Sequence, residues 1–315
     1  MEFDLIELIN AATALPRDDV VLGIGDDTAL LRVPAGQELA VAIDTLVDGV
    51  HFPRGTAPED IGWKSLAVNL SDLAAMGATP AWATLALTLP HSDRDFVGAF
   101  VTGFAALAKP HRVALVGGDT TQGPLAVSVG IHGFVPAGQA LRRAGARVGD
   151  DIYVTGTLGD AMGALRGLAA GGTPAALRAR LDRPTPRVEA GLALRGLASA
   201  CVDVSDGLLA DLGHICRASG VGAMVEADAV PVSDALRAHF DAATVRGLAL
   251  TGGDNYELCF TAPATRGETL MRLLSVLPGG VTRIGRIVAG SDVRAHDRAG
   301  LDITPRTRGW EHFSA

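Results

Sequence analysis

The sequence predicts an α/β fold, of mixed α+β character, arranged as two domains. Three observations carry this reading. Short runs rich in Val and Ile alternate along the chain with segments of helical period. Hydrophobic residues make up 48% of the chain, enough for a substantial core. The length of 315 residues suits one large domain or two ordinary ones.

Taken in order, the acidic and amphipathic start MEFDLIELIN predicts a helix over Asp4–Ala14. Strand-like runs follow at Val20–Ile24 and Leu39–Leu46, then a helix over Glu59–Met76. A strand at Ala81–Leu89, a helix at Ser92–Ala108 and strands at Val113–Val116 and Leu125–Val135 complete the first half. The second half opens with a strand at Asp151–Thr155 and helices at Asp160–Ala169 and Arg187–Ala198. Strands at Ala200–Val204 and Gly222–Val225 flank a helix over Gly207–Ala218. A helix at Ser233–Phe240, a strand at Leu258–Thr261, a helix at Thr265–Leu277 and a strand at Val281–Ile287 end the series. Gly171–Pro186, with a Gly pair, three prolines and mixed charge, is one candidate linker between domains. It falls after the strand Asp151–Thr155, so the boundary is placed earlier, in the turn Arg142–Asp150. This gives an N-terminal domain over 1–145 and a C-terminal domain over 146–315. No internal repeat is visible.

Composition removes several classes of function. The net charge is −8 and the pI about 5.4, which argues against a nucleic-acid surface. The longest uncharged apolar stretch, around Ala81–Leu89, is too short to span a bilayer, so no membrane partner is expected. The acidic N-terminus is not a signal peptide. Cys201, Cys216 and Cys259 form neither a CxxC pair nor a disulfide framework, which suits the cytoplasm.

The charges are unevenly composed: 26 Asp stand against 9 Glu, and 25 Arg against 2 Lys. Several Asp sit at strand ends beside Gly, Ser or Thr. GIGDD carries Asp26 and Asp27; DTLVDGVHF carries Asp44, Asp48 and His51. NLSDLAAMGA places Asp72 inside a helix, three residues after Asn69. GGDTTQGP places Asp119 just past a strand; VDVSDGLLADL puts Asp203 and Asp206 around a strand-to-helix junction; TGGDNYEL carries Asp254.

Each motif alone has a plain structural reading. GIGDD reads as a turn with Asx hydrogen bonds, and GGDTT as a turn plus a helix cap. Ser205 or Asp206 makes a good N-cap. His51 beside Phe52 reads as a half-buried packing histidine, Trp310 as satellite core, and Arg142 with Arg143 as a solvated loop. Asp72 differs, because Leu70, Leu73 and Met76 flank it on a helix expected to be buried. A buried carboxylate needs a cation or several donors. Two carboxylates 4 Å apart repel by about 4 kcal/mol at an effective dielectric of 20. If these Asp converge, the site requires cations. Oxygen ligands without His or Cys select hard cations, Mg²⁺ foremost. Mg²⁺ held this way takes phosphate oxygens as further ligands, so the pattern reads as a nucleotide or phosphoryl-transfer site. GxxxxGK[ST], the protein-kinase signatures and GxGxxG are all absent. With two lysines, phosphate charge falls to Mg²⁺, Arg and backbone N–H groups.

The set GIGDD, DTLVDGVHF, NLSDLAAMGA, GGDTTQGP, RRAGARVGDDIYVTGTLGD, RPTPRV, DVSDGLLADLGHI and GGDNYELCF resembles bacterial thiamine-monophosphate kinase. The match runs from Gly23 to about Phe260, with a weaker tail at GWEHF. GIGDD and GGDTT are shared with the wider aminoimidazole-ribonucleotide synthetase-like superfamily; DTLVDGVHF and NLSDLAAMGA are more specific to the kinase. The resemblance implies two α/β domains, an N-terminal one that forms a homodimer through a β-barrel-like sheet and a C-terminal one that closes a cleft. It implies ATP-dependent phosphorylation of thiamine monophosphate to thiamine diphosphate, direct and in line, with several Mg²⁺ ions and no phospho-enzyme; the acceptor phosphate is already ionised at neutral pH, so no protein base is assigned. Position by position, Asp27, Asp44, Asp72, Asp119, Asp203 and Asp206 match its metal ligands, with Asp26 adjacent. Gly118, Asp119, Arg143 and Ser205 match ATP contacts. His51, Asp254 and Trp310 match contacts to thiamine monophosphate, where an indole face suits a cationic ring.

Three departures stand out. The family's GGEDYEL reads GGDNYEL here, so Asp254 replaces a Glu and Asn255 an Asp. Ala42 and Ile43 precede Asp44 where relatives often carry hydroxyls. Trp310 stands where some relatives have Tyr. Two other readings are a synthetase of the same superfamily and a non-catalytic nucleotide or metal-binding module. The first is disfavoured because no reactive Cys plus Lys precedes GIGDD.

Overall fold

The computed structural model describes residues 2–311, and they divide into two compact units. The first takes the described residues up to Leu73 with Ala78–Gly138; the second takes Ala74–Gly77 with the described residues from Gln139 onward.

The first half of the chain forms α1 (Glu2–Thr13), β1 (Val20–Leu22), β2 (Leu30–Leu31), β3 (Gln37–Val47), α2 (Pro58–Ala75), β4 (Thr79–Leu89), α3 (Arg94–Ala108), β5 (Ala114–Gln122) and β6 (Ala126–Pro136). β1 and β2 pair as a small ribbon, and the rest form an open four-stranded sheet in the order β3-β6-β4-β5. β4 and β5 run parallel; the other pairs are antiparallel. Trp82, Ala114, Val116 and Phe134 bury one part of this sheet. Asp93 starts α3 as its N-cap, its carboxylate accepting from Phe96 N at 2.9 Å. β3 lies at the sheet edge with Leu39, Val41 and Ile43 exposed by 42%, 60% and 70%. Alternate residues share a face, so three apolar side chains line one open surface.

The second half forms β7 (Asp151–Thr155), α4 (Asp160–Ala169), α5 (Ala175–Asp182), α6 (Val188–Leu194), β8 (Ala200–Val204), α7 (Leu208–Ser219), β9 (Gly222–Glu226), α8 (Asp234–His239), α9 (Ala242–Thr251), β10 (Glu257–Ala262), α10 (Gly267–Leu274), β11 (Val281–Val288) and β12 (Val293–His296). Its sheet has the order β12-β9-β11-β7-β10-β8, antiparallel except for β12 on β9. Ile152, Val154, Val202 and Val204 project from the strands against Leu208, Leu212 and Ile215 of α7. Leu177, Leu181, Leu236 and Val245 form a second cluster among α4, α5, α8 and α9.

Several expectations need correction. Asp119 is not past a strand: β5 continues through Gly117, Gly118 and Asp119 to Gln122, and no helix follows. The stretch 171–186, the linker candidate set aside, contains a helix that was not expected, α5 at Ala175–Asp182. α9, β2 and β12 were not expected. The helix expected over Arg187–Ala198 stops at Leu194. The one expected over Thr265–Leu277 is a 3₁₀ turn, Ala264–Arg266, followed by α10. Among the described residues no helix is long and apolar enough to cross a membrane.

Candidate active site

In the second unit, three of the predicted motifs meet. β8 and β10 are antiparallel neighbours, with Leu258 opposite Asp203 and Glu257 opposite Val204. The end of β8 and the start of β10 therefore lie side by side. Asp254 N donates to Ser205 O at 2.7 Å and Tyr256 N to Val204 O at 2.9 Å. A Cβ on Gly253 would stand 2.6 Å from Ser205 O, so only glycine permits this approach. Trp310 N donates to Asp206 O at 3.0 Å. Asp203, Ser205, Asp206, Asp254 and Trp310 thus come together.

The capping reading of Ser205 and Asp206 does not hold. The N-cap of α7 is Gly207, with no side-chain cap. Asp211, in the first turn, accepts instead from Asp206 N and Gly207 N, each at 3.0 Å. It orders the loop through donors that a helix start leaves open. Burial, and then the charges of Asp203 and Asp206, push the Asp211 carboxyl up to about 7. Asp211 is thus a carboxyl whose ionisation is disfavoured by burial and by two neighbouring carboxylates.

Trp310 is not satellite core, being 51% exposed. It lines a cleft of about 1050 Å³ between α7 and the tail, with Asp206, His214, Arg217, Arg306 and Arg308. The last two residues of the GWEHF motif, His312 and Phe313, lie outside the described residues. Arg217 donates to His214 Nδ1 at 2.9 Å. Burial, then the Arg143 and Arg217 cations, hold His214 below the usual histidine range. Arg143 is exposed, as the solvated-loop reading has it, and close enough to His214 to exert this effect. The cationic lining from Arg217, Arg306 and Arg308 was not anticipated, because those arginines carry no motif of their own.

RPTPRV and NYEL also acquire a role. Arg187 clasps Glu257 with Nε to Oε2 and Nη2 to Oε1, both at 2.6 Å. Arg180 donates to Oε1 and Thr155 to Oε2, each at 2.7 Å. The Glu257 side chain is wholly buried, so the four bonds stand where water cannot replace them.

In the first unit the predicted residues are more dispersed. Asp44 on β3 pairs with Val129, which pairs with Leu85, which pairs with Gly118. Asp44 and Asp119 therefore occupy opposite edges of the sheet, three strand spacings or about 14 Å apart along it. β5 carries a bulge before Gly117, and a Cβ on Gly118 would stand 1.9 Å from Leu85 O. GGD is thus a close-approach element that presents Asp119 to solvent. An apolar hollow of about 90 Å³, lined by Ile6, Ile9, Ile24 and Leu85, opens beside Gly118 and Asp119. Asp27 is exposed, and its N–H donates to Asp26 Oδ1 at 2.8 Å, a bond to the adjacent residue and not the Asx turn, two residues on, expected of GIGDD. Asp72 is half-buried, not buried, although its helix neighbours Leu70 and Leu73 are buried. Asn69 is fully buried, with Nδ2 donating to Ser65 O at 2.9 Å. His51 is half-buried, its Nδ1 accepting from Val47 N at 3.0 Å. Lys64, one of two lysines, is 2% exposed and donates to His51 O at 2.9 Å. It pins the turn that carries His51, a role its sequence position did not reveal.

Among the described residues no three His, Cys, Asp or Glu side chains stand close enough to hold a metal ion as they are placed. The carboxylates around Asp206 are oxygen donors of the kind that hard cations take.

Residues 25–135 match the family model of AIR synthase related protein, N-terminal domain, and residues 147–298 that of the C-terminal domain. The chain is 48% identical to thiamine-monophosphate kinase of Salmonella typhimurium, over 99% of this chain and 98% of that one. It superposes on the crystal structure of thiamine-monophosphate kinase from Stenotrophomonas maltophilia with a TM-score of 0.89 at 56% identity, covering 93% and 96% of the two chains. AaThiL complexed with AMPPCP and TMP superposes with a TM-score of 0.79 at 33% identity, covering 99% and 97%. With relatives this similar along its whole length, the chain belongs to the thiamine-monophosphate kinase family.

Proposed function

We propose that the chain transfers the γ-phosphoryl group of ATP to the phosphate of thiamine monophosphate, giving thiamine diphosphate and ADP. The observation that carries this reading is full-length similarity to relatives of that name, joined to the meeting of Asp203, Ser205, Asp206, Asp254 and Trp310 in one unit. In this reading 1–145 is the Mg²⁺/ATP-binding and dimerisation domain, and 146–315 completes the substrate site. Gly118, Asp119, Arg143 and Ser205 contact ATP. His51, Asp254 and Trp310 hold thiamine monophosphate. Asp27, Asp44, Asp72, Asp119, Asp203 and Asp206 hold several Mg²⁺ ions, with Asp26 adjacent.

Bound Mg²⁺ would neutralise charge developing on the transferred group. The protein's part is positioning and electrostatics. The second ionisation of a phosphomonoester lies at about 6, so the attacking oxygen is already anionic at neutral pH. No protein base is assigned. Trp310 offers an indole face to the cationic ring, and Asp254 a carboxylate to its polar end. Arg143 offers phosphate a fork of donors.

The exposed apolar row of Leu39, Val41 and Ile43 on an edge strand supports a homodimer through this sheet. Three buried free cysteines fit a cytoplasmic enzyme. A coupled assay for ADP release dependent on thiamine monophosphate tests the reading. Turnover is expected only with ATP, Mg²⁺ and thiamine monophosphate together. Thermal stabilisation by these ligands without ADP formation would instead mark a binding module.

A further inference from the structure

Asn255, the amide where the family pattern has an acid, sits in a fully specified environment. It is 4% exposed. Its Oδ1 accepts from Gly159 N at 2.8 Å, and its Nδ2 donates to Gly252 O at 2.6 Å. Gly252 closes α9 and Gly159 opens α4. One side chain thereby ties the GGDNYEL loop to two helix ends. Its neighbours Asp254 and Tyr256 both hold left-handed φ, at 59° and 52°. Non-glycine residues stay there only when their surroundings over-determine the backbone. Tyr256 adds one more tie, its hydroxyl donating to Asp254 Oδ1 at 3.0 Å.

We propose that Asn255 is a positioning residue for thiamine monophosphate: it fixes the backbone from which Asp254 presents its carboxylate. The proposal rests on the reading of Asp254 as a substrate contact. An aspartate at 255 would still accept from Gly159 N, but its second oxygen would face Gly252 O across 2.6 Å, acceptor against acceptor. The amide makes both bonds at once, as donor and as acceptor. The two departures from GGEDYEL belong together. Asp254 is one methylene shorter than the family's Glu, so its carboxylate follows the backbone more closely, and Asn255 holds that backbone.

The test is steady-state kinetics on the full chain for both substrates, with thermal melts. Asn255→Asp should raise KM for thiamine monophosphate tenfold or more while KM for ATP stays within twofold. The double variant Asp254→Glu/Asn255→Asp, which restores the family pattern, should recover at least half of that loss on a logarithmic scale. Tyr256→Phe, which removes only the hydroxyl tie, should raise the same KM about threefold, and it serves if Asn255→Asp does not fold. An unchanged KM for thiamine monophosphate in Asn255→Asp overturns the proposal. So does a parallel rise in both KM values with kcat falling in proportion to the folded fraction, or, where that variant is unfolded, an unchanged KM in Tyr256→Phe. A wild-type chain that releases no ADP with thiamine monophosphate overturns the assigned reaction as well; wild-type turnover with unaltered variants overturns the positioning role alone.

Discussion

Replacing Glu257 by Gln tests how much the buried ion cluster contributes. The substitution keeps the shape of the side chain and removes its charge. Arg187, whose side chain is 9% exposed, then loses the carboxylate it clasps through two bonds of 2.6 Å. Arg180, 25% exposed, can turn toward solvent, so the penalty falls mainly on Arg187. Breaking a buried pair from one side costs about 3–5 kcal/mol. At about 2–4 °C of melting temperature per kcal/mol for a unit of this size, the loss is about 6–20 °C. Differential scanning calorimetry of Glu257→Gln would read it directly. The double variant Glu257→Leu/Arg187→Met should recover part of the loss, because an apolar pair leaves no orphan charge. A Glu257→Gln melting point within about 2 °C of wild type would refute the reasoning, as would a double variant whose loss equals the sum of the single variants.

Three further outcomes are expected. Asp119→Asn should abolish turnover and leave the melting point close to wild type, as should Asp72→Asn; wild-type kcat at saturating Mg²⁺ in either variant would refute its ligand role. Val41→Arg places a charge in the exposed apolar row of β3 and should give a monomer by light scattering, where the proposed reading expects a dimer from wild type. Burial holds His132 below the usual histidine range, so the folded state favours its neutral form. The stability it confers is full above the unfolded value of 6.5 and falls as pH drops below it; a His132→Gln variant should show a flatter melting profile between pH 7 and 5.

The sequence made most of the strands legible because the buried ones are continuous apolar runs. Asp151–Thr155 and Ala200–Val204 were read to the residue. What escaped had no such contrast. α9 reads AATVRGLALT, small residues with little periodicity, and its start is set by Asp241 accepting from Ala243 N and Thr244 N. GGD looked like a turn because Gly usually breaks strands, whereas Gly118 serves the close approach to Leu85 O. At the site, motif spacing named residues on the β8–β10 rim, since antiparallel pairing gathers what lies at strand ends. It gave no sign of Lys64 or Arg217, which act through contacts that no local motif encodes, and within VDVSDGLLADL it pointed to Ser205 and Asp206 as caps where Asp211 takes that part. The separation of Asp44 from Asp119 was hidden too, because strand order, unlike strand identity, depends on pairing between distant segments.

Loops that hold ligands usually open first when a protein breathes. The stretch from Gly253 to Tyr256 is built otherwise. The amides of Asp254 and Tyr256 are bonded to the carbonyls that end β8, and β10 follows at once, buried along its whole length. Their hydrogens should therefore exchange with solvent on the timescale of the central sheet, together with those of Val204 and Leu258. In the proposed function, substrate would then meet a rim that is already set before it arrives, and little of its binding energy would be lost to ordering that part of the protein.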